Sequence, residues 1–227
     1  MLTPKKRLAA TVEALKELYP SAECALTWGG TDPWRLLVMG RLSAQCTDAR
    51  VNITCKRLFE VYPNAETMAA AALPELEELV RPCGLYRRKA LDLKLASERL
   101  VTVYGGKLPS TMEELLTFPG VGRKIANLLL GDVFGLPAVV TDTHCIRICG
   151  RLGYYPESEK SPEKVEKILW GLIDPEESAD FCHRIVFFGR DVCRAIGPRC
   201  DGCPLAARGL CKKHETDVGG RARRGKA

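Results

Sequence analysis

No stretch of eighteen or more apolar residues occurs in this 227-residue chain, which excludes a helix long enough to span a bilayer. Long tracts of one residue type are also missing. With 46% hydrophobic and 27% charged residues, the composition is that of a globular protein, not a disordered one. Lys5, Lys6 and Arg7 follow Met1, yet no apolar segment of a secretion signal comes after them, so the expected compartment is a reducing one, the cytoplasm. Strand-type alternation is nearly absent and no repeat of solenoid period is found. An extended β architecture and a solenoid are therefore not expected. What remains is length for one to one-and-a-half domains.

The net charge is +6, and residues 212–227 hold +4 of it. The body therefore carries only +2 and must bind any nucleic acid through placed contacts rather than bulk charge. Eleven cysteines are many for this size, but a disulfide framework does not suit a reducing compartment. Seven of them (Cys24, Cys46, Cys55, Cys83, Cys145, Cys149, Cys182) lie in apolar or helical contexts and read as small buried hydrophobes.

About ten helices with short connections are expected. Pro4 opens the first, with an apolar stripe at Leu8, Val12, Leu15 and Leu18. Asp32-Pro33 opens the second, and Asp48 is expected to cap the third. Shorter helices follow near 66–72 and 74–80, then a long one over 87–104, closed by Gly105-Gly106. Ser110 to Glu113 reads as a capping box for a helix reaching Thr117. Further helices are expected over 123–134, from Asp142 to Arg151, from Ser161 towards Asp174, and over 178–190. Residues 212–227 form a basic tail that is expected to be disordered, low-complexity over 219–227.

Between two of these helices stands Phe118-Pro119-Gly120-Val121-Gly122. Gly120 and Gly122 permit a tight turn and close approach by another molecule. Their amides, with that of Arg123, form a helix N-terminus suited to one phosphate. A plain helical hairpin would use the same glycines. Lys124 lies in the first turn of the next helix, where the positive helix end and Arg123 both oppose an ammonium. That is the setting of an amine nucleophile, though a phosphate-binding surface lysine is the commoner reading of such a residue. Asp142 follows an apolar run at a helix start. It reads as an N-cap, or as a carboxylate able to stabilise an oxocarbenium-like sugar beside a buried lysine and to move protons.

Cys193, Cys200, Cys203 and Cys211 place four thiolates within 19 residues. Four cysteines suit a [4Fe–4S] cluster or zinc. Only one pair has the short spacing that a zinc ribbon uses twice, so iron–sulfur fits better.

Taken in order, Leu42-Ser43-Ala44-Gln45-Cys46-Thr47-Asp48, Cys83-Gly84-Leu85-Tyr86, the hairpin through Asn127, and Thr141-Asp142-Thr143-His144 resemble the endonuclease III family of helix-hairpin-helix DNA glycosylase/AP lyases. The resemblance spans residues 5–211. It implies an all-α, two-domain fold: a six-helix barrel over 26–136 ending in the hairpin, and a cluster domain made of 1–25 and 137–211, with the active site between them. Lys124 would then be the Schiff-base nucleophile at C1′ and Asp142 its electrostatic and proton-transfer support. Gln45 would fill the space left by an extruded nucleotide, and Leu85 would wedge open the opposite base step. Gly120, Gly122 and Arg123 would hold the backbone, and the four cysteines a [4Fe–4S] cluster that sets a basic loop (Arg190, Arg194, Arg199) against phosphates. The implied activity is excision of oxidised pyrimidines from damaged double-stranded DNA, with β-elimination 3′ to the abasic site. The implied enzyme is monomeric and associated with the nucleoid.

The chain departs from the family pattern in places. The last cysteine interval has seven residues where the family has five, which leaves His214 as a remote alternative ligand. Phe118 replaces Leu, Ile125 replaces Thr, and Arg41 and Cys46 are uncommon. Two other readings compete. A monofunctional uracil or mismatch glycosylase would not need Lys124. A non-catalytic helix-hairpin-helix module would bind duplex without cutting it.

Overall fold

In the computed structural model, residues 2–21, 23–30 and 32–215 are described. They contain no strand. The helices are α1 Pro4–Leu18, α2 Pro33–Leu42, α3 Asp48–Val61, α4 Ala65–Ala69, α5 Leu73–Val80, α6 Tyr86–Tyr104, α7 Met112–Leu115, α8 Arg123–Asp132, α9 Thr143–Leu152, α10 Pro162–Trp170, α11 Ser178–Asp191 and α12 Pro204–Ala207. Single 3-10 turns cover Arg81–Cys83 and Pro175–Glu177.

Local chemistry sets these boundaries. Thr3, Asp32, Asn64, Asp142 and Ser161 each cap a helix with a side-chain oxygen, satisfying an amide that no turn can reach. Two expected caps move by one residue. Thr47, not Asp48, caps α3, because its hydroxyl accepts from the Arg50 amide and leaves Asp48 as the first helical residue. Thr111 caps α7 and also donates to Glu114 Oε2 at 2.6 Å. The box therefore starts one residue later than expected, and its helix is only four residues long.

The chain divides into two compact units, Cys24–Leu136 and Met1–Glu23 with Pro137–Ala227. In the first unit α6 is the hub, packed on α2, α4 and α5, while α8 packs on α2 and α7. Its core includes Trp34, whose indole donates to Ser97 Oγ at 3.0 Å. In the second unit α11 packs on α1 and α9 around Leu8, Leu15, Ile148, Phe181 and Phe188. Leu205 and Leu210 join this core from the α12 segment. The longer cysteine interval is thus anchored at both ends by buried leucines.

Five of the seven scattered cysteines are buried as expected, but Cys24 and Cys46 are only half-buried. Both sit in short connections outside helices, where one face remains open. Of the expected disordered tail, residues 212–215 are helical, and 216–227 lie outside the described residues.

Candidate functional site

Within the unit Cys24–Leu136, Gly120 stands at φ +74°. A Cβ there would lie 2.5 Å from Arg41 Nε and 2.8 Å from Asp92 Oδ2. Only glycine fits both the conformation and the space. Behind the turn, Arg41 donates to the buried Asp92 carboxylate through Nε at 2.8 Å and Nη2 at 2.7 Å. Arg88 holds the other oxygen of Asp92 at 3.0 Å. Gly122 is the N-cap of α8 and, having no side chain, offers no side-chain cap to the first turn. Arg123 and Lys124 open that turn, and both are exposed. Lys124 is therefore not the buried lysine expected: it stands in the exposed first turn of α8, with Gly122 and Arg123 exposed beside it.

Gln45 at φ +53° and Leu85 at φ +47° are the two non-glycine residues with positive φ among the described residues. The left-handed conformation costs about 1–2 kcal/mol for a residue with a Cβ. Both are exposed, Leu85 to 58%. An exposed leucine in a strained backbone gains nothing from burial, and such outliers gather where a chain meets a ligand. Gln45 lies between α2 and α3, and Leu85 is the N-cap of α6. The fully buried Lys89 links the two segments, donating to Leu42 O at 2.9 Å and Cys83 O at 2.8 Å. Arg81 and Arg87 stack on the Tyr86 ring beside Leu85, which keeps cations next to the wedge position.

In the other unit, Asp142 caps α9, accepting from the Cys145 amide at 2.7 Å through Oδ1. Its second oxygen meets His144 Nδ1 at 3.1 Å. The imidazole is held from behind by Gly189, where a Cβ would fall 2.5 Å from His144 Cδ2. Lys124 and Asp142 belong to different units.

Cys193, Cys200, Cys203 and Cys211 line one cavity of about 270 Å³, together with His214, Arg151 and apolar walls such as Leu152 and Phe188. Arg151 donates to Cys193 Sγ at 3.4 Å and to the carbonyls of Arg194 and Ala195, and Arg147 donates to Cys193 O. Burial pushes the Cys203 and Cys211 thiols up, while backbone amides of Ala206 and Leu205, and of His214 and Lys213, pull them down. Among the described residues, no three His, Cys, Asp or Glu side chains converge closely enough to hold a single metal ion.

Sequence reasoning missed Lys89, Asp92 and the role of Arg41 as their neighbour. A signal was present. Lys89, Leu93, Ala96 and Leu100 follow helical spacing on one buried face, and a lysine at an apolar position of such a stripe needs a buried partner.

Residues 38–175 match the model of a family described as HhH-GPD superfamily base excision DNA repair protein. The chain is 39% identical to endonuclease III of Bacillus subtilis (strain 168), over 92% of this chain and 93% of that protein. It is 42% identical to endonuclease III of Synechocystis sp., over 91% and 93%. The solved structure of a trapped endonuclease III–DNA covalent intermediate, an estranged-adenine complex, is 40% identical. It matches with a TM-score of 0.88 across 96% of this chain and 100% of that one.

Proposed function

The chain belongs to the endonuclease III family, within the HhH-GPD superfamily of base excision DNA repair proteins, and from that premise we propose that Lys124 is the amine through which it acts. It is a DNA glycosylase with AP lyase activity, and its partner is double-stranded DNA. No helix among the described residues is long and apolar enough to cross a membrane.

In this reading the damaged pyrimidine leaves the stack, Gln45 occupies the vacated space and Leu85 holds the opposite step open. The amides of the uncapped α8 turn and the Gly120–Gly122 backbone receive a phosphate, with Arg123 beside them. The Lys124 Nζ lone pair forms a bond to C1′ as the glycosidic bond breaks; the base departs with the electron pair of the broken bond and takes up a proton, and the attached nitrogen gives one up. Opening of the sugar ring leaves an iminium at C1′. Loss of a C2′ proton then expels the 3′ phosphate, cutting the strand. Asp142, fixed by its own helix amide and by His144, serves as the carboxylate that offsets developing positive charge and relays protons. The substrate class proposed is an oxidised pyrimidine. The observation that carries the reading is the exposed Lys124 in the first turn of an uncapped helix, directly after a hairpin whose glycine is sterically required.

The four cysteines fit a [4Fe–4S] cluster. They share a cavity larger than one ion needs, and amides aimed at sulfur suit thiolate ligands. Cys193, Cys200, Cys203 and Cys211 would hold it, and when bound it supplies a cross-link of four chain positions. Arg190, Arg194 and Arg199, all exposed on the same segment, are then presented to phosphates. The enzyme is proposed to work as a monomer in a reducing cytoplasm.

The test is borohydride trapping on a duplex with one thymine glycol, wild type beside Lys124→Ala. A covalent adduct with wild type and none with the variant is expected. Base release by wild type with no adduct would instead indicate a monofunctional glycosylase. Neither adduct nor base release would reject this lesion, and an abasic duplex would then report whether the lyase step remains.

A further inference from the structure

We propose that Lys89 is a positioning residue for DNA probing: its buried ammonium ties the segment carrying Gln45 to the segment carrying Leu85, so that both side chains enter the duplex as one unit. The inference rests on the reading of Gln45 and Leu85 as the probing pair. Lys89 is fully buried, and its Nζ donates to two carbonyls. Leu42 is the last residue of α2, and Cys83 the last of the preceding 3-10 turn. Each carbonyl is thus an acceptor at the end of its element with no turn of its own to satisfy it. Leu42 lies three residues before Gln45, and Cys83 two before Leu85. The Lys89 amide also donates to Leu85 O at 3.0 Å, so the wedge residue is held from both sides.

The choice of residue calls for an explanation. Leu93, Ala96 and Leu100 continue the same stripe as ordinary core, and a methionine at position 89 would bury with no charge to desolvate, though it would leave the two carbonyls unpaired. Burial lowers the Lys89 ammonium from its ordinary range, Arg41 adds to this, and Cys46 and Cys83 partly oppose it. A cation kept there against its solvation joins two loops that both hold a left-handed residue. Without the shared donor each loop could relax separately towards an unstrained backbone, and the two side chains would lose their common register.

A double-mutant comparison decides the matter, using the full chain with its metal content intact. Single-turnover base release from a thymine glycol duplex is measured for wild type and for Gln45→Ala/Leu85→Ala, each with and without Lys89→Met. Lys89→Met alone is expected to slow release about tenfold, and in the Gln45→Ala/Leu85→Ala background by less than about twofold, since residues acting through one another are not additive. Lys89→Arg, which keeps a buried donor, is expected to restore part of the rate. A residue that merely supports the fold would cost the same factor in both backgrounds. That result, or no loss in the wild-type background, overturns the inference. If Gln45→Ala/Leu85→Ala itself leaves the rate unchanged, the probing pair is misassigned, and the inference falls with it. Should Lys89→Met fail to give a cooperative melt, the same comparison with Lys89→Gln, a shorter polar side chain without the ammonium, applies the same criterion.

Discussion

Gly120 shows how one side chain, or its lack, sets the site. Its φ of +74° disfavours a Cβ, and the space a Cβ would take is filled by Arg41 and Asp92. Gly120→Ala should therefore destabilise by about 2 kcal/mol or more, from the left-handed conformation and the displaced ion pair together. At about 2–4 °C per kcal/mol for a chain of this size, the melting temperature falls by at least about 4 °C. Gly122→Ala is the comparison. Its φ is −104° and nothing lies within 4 Å of its Cβ position, so melting should change little while DNA binding weakens. Equal melting losses for both would show that the turn is not held by the Arg41–Asp92 pair. In the sequence Arg41 stands out as an uncommon residue that could alter base preference. That it closes over Gly120, 79 positions away, depends on packing.

At the scale of elements, the loop from Cys193 to Cys211 is tied to its unit by groups other than the four thiols. Arg147 and Arg151 of α9 hold its carbonyls, and Leu205 and Leu210 hold α12 to the core. Cys200 is the exposed member of the four thiols. Cys200→Ser should remove most bound iron and the visible iron–sulfur absorbance of the purified protein. Helical content should stay near wild type, since the apolar anchors are untouched. Full iron retention would exclude Cys200 as a ligand. The α-helices themselves follow from caps that act over three residues, which is why Asp142 and Ser161 could be assigned from sequence alone. Where two candidates adjoin, as at Thr47-Asp48 or Ser110-Thr111, the cap was placed one residue off, because only the backbone angles select between neighbours.

Over the whole molecule, buried thiols make stability fall in alkali. Burial raises Cys55 well above its ordinary value and Cys24 to about 12, the latter reinforced by Asp132. Unfolded thiols lose their protons near pH 8.5. Above that the folded state binds more protons than the unfolded state, so stability declines as pH rises towards the folded values. Each such group contributes up to about 1.4 kcal/mol per pH unit. The melting temperature should drop between about pH 8.5 and 10.5, and Cys55→Ala should flatten that slope. An unchanged slope would assign the alkaline loss to other groups.

The all-helical class was fixed by local pattern: caps, prolines at first turns and stripes of period 3.6 are properties of neighbouring residues, and they survive being read in one dimension. The hairpin with Lys124, the cap at Asp142 and the spacing of four cysteines are local in the same sense. Tertiary structure alone decided what joins distant segments. Lys89 reaching Leu42, Arg41 and Asp92 closing on Gly120, and His144 seated on Gly189 all pair residues far apart in the chain. The left-handed backbone at Gln45 and Leu85 belongs with these, because no propensity of glutamine or leucine favours it. It exists between packed segments that Lys89 bridges.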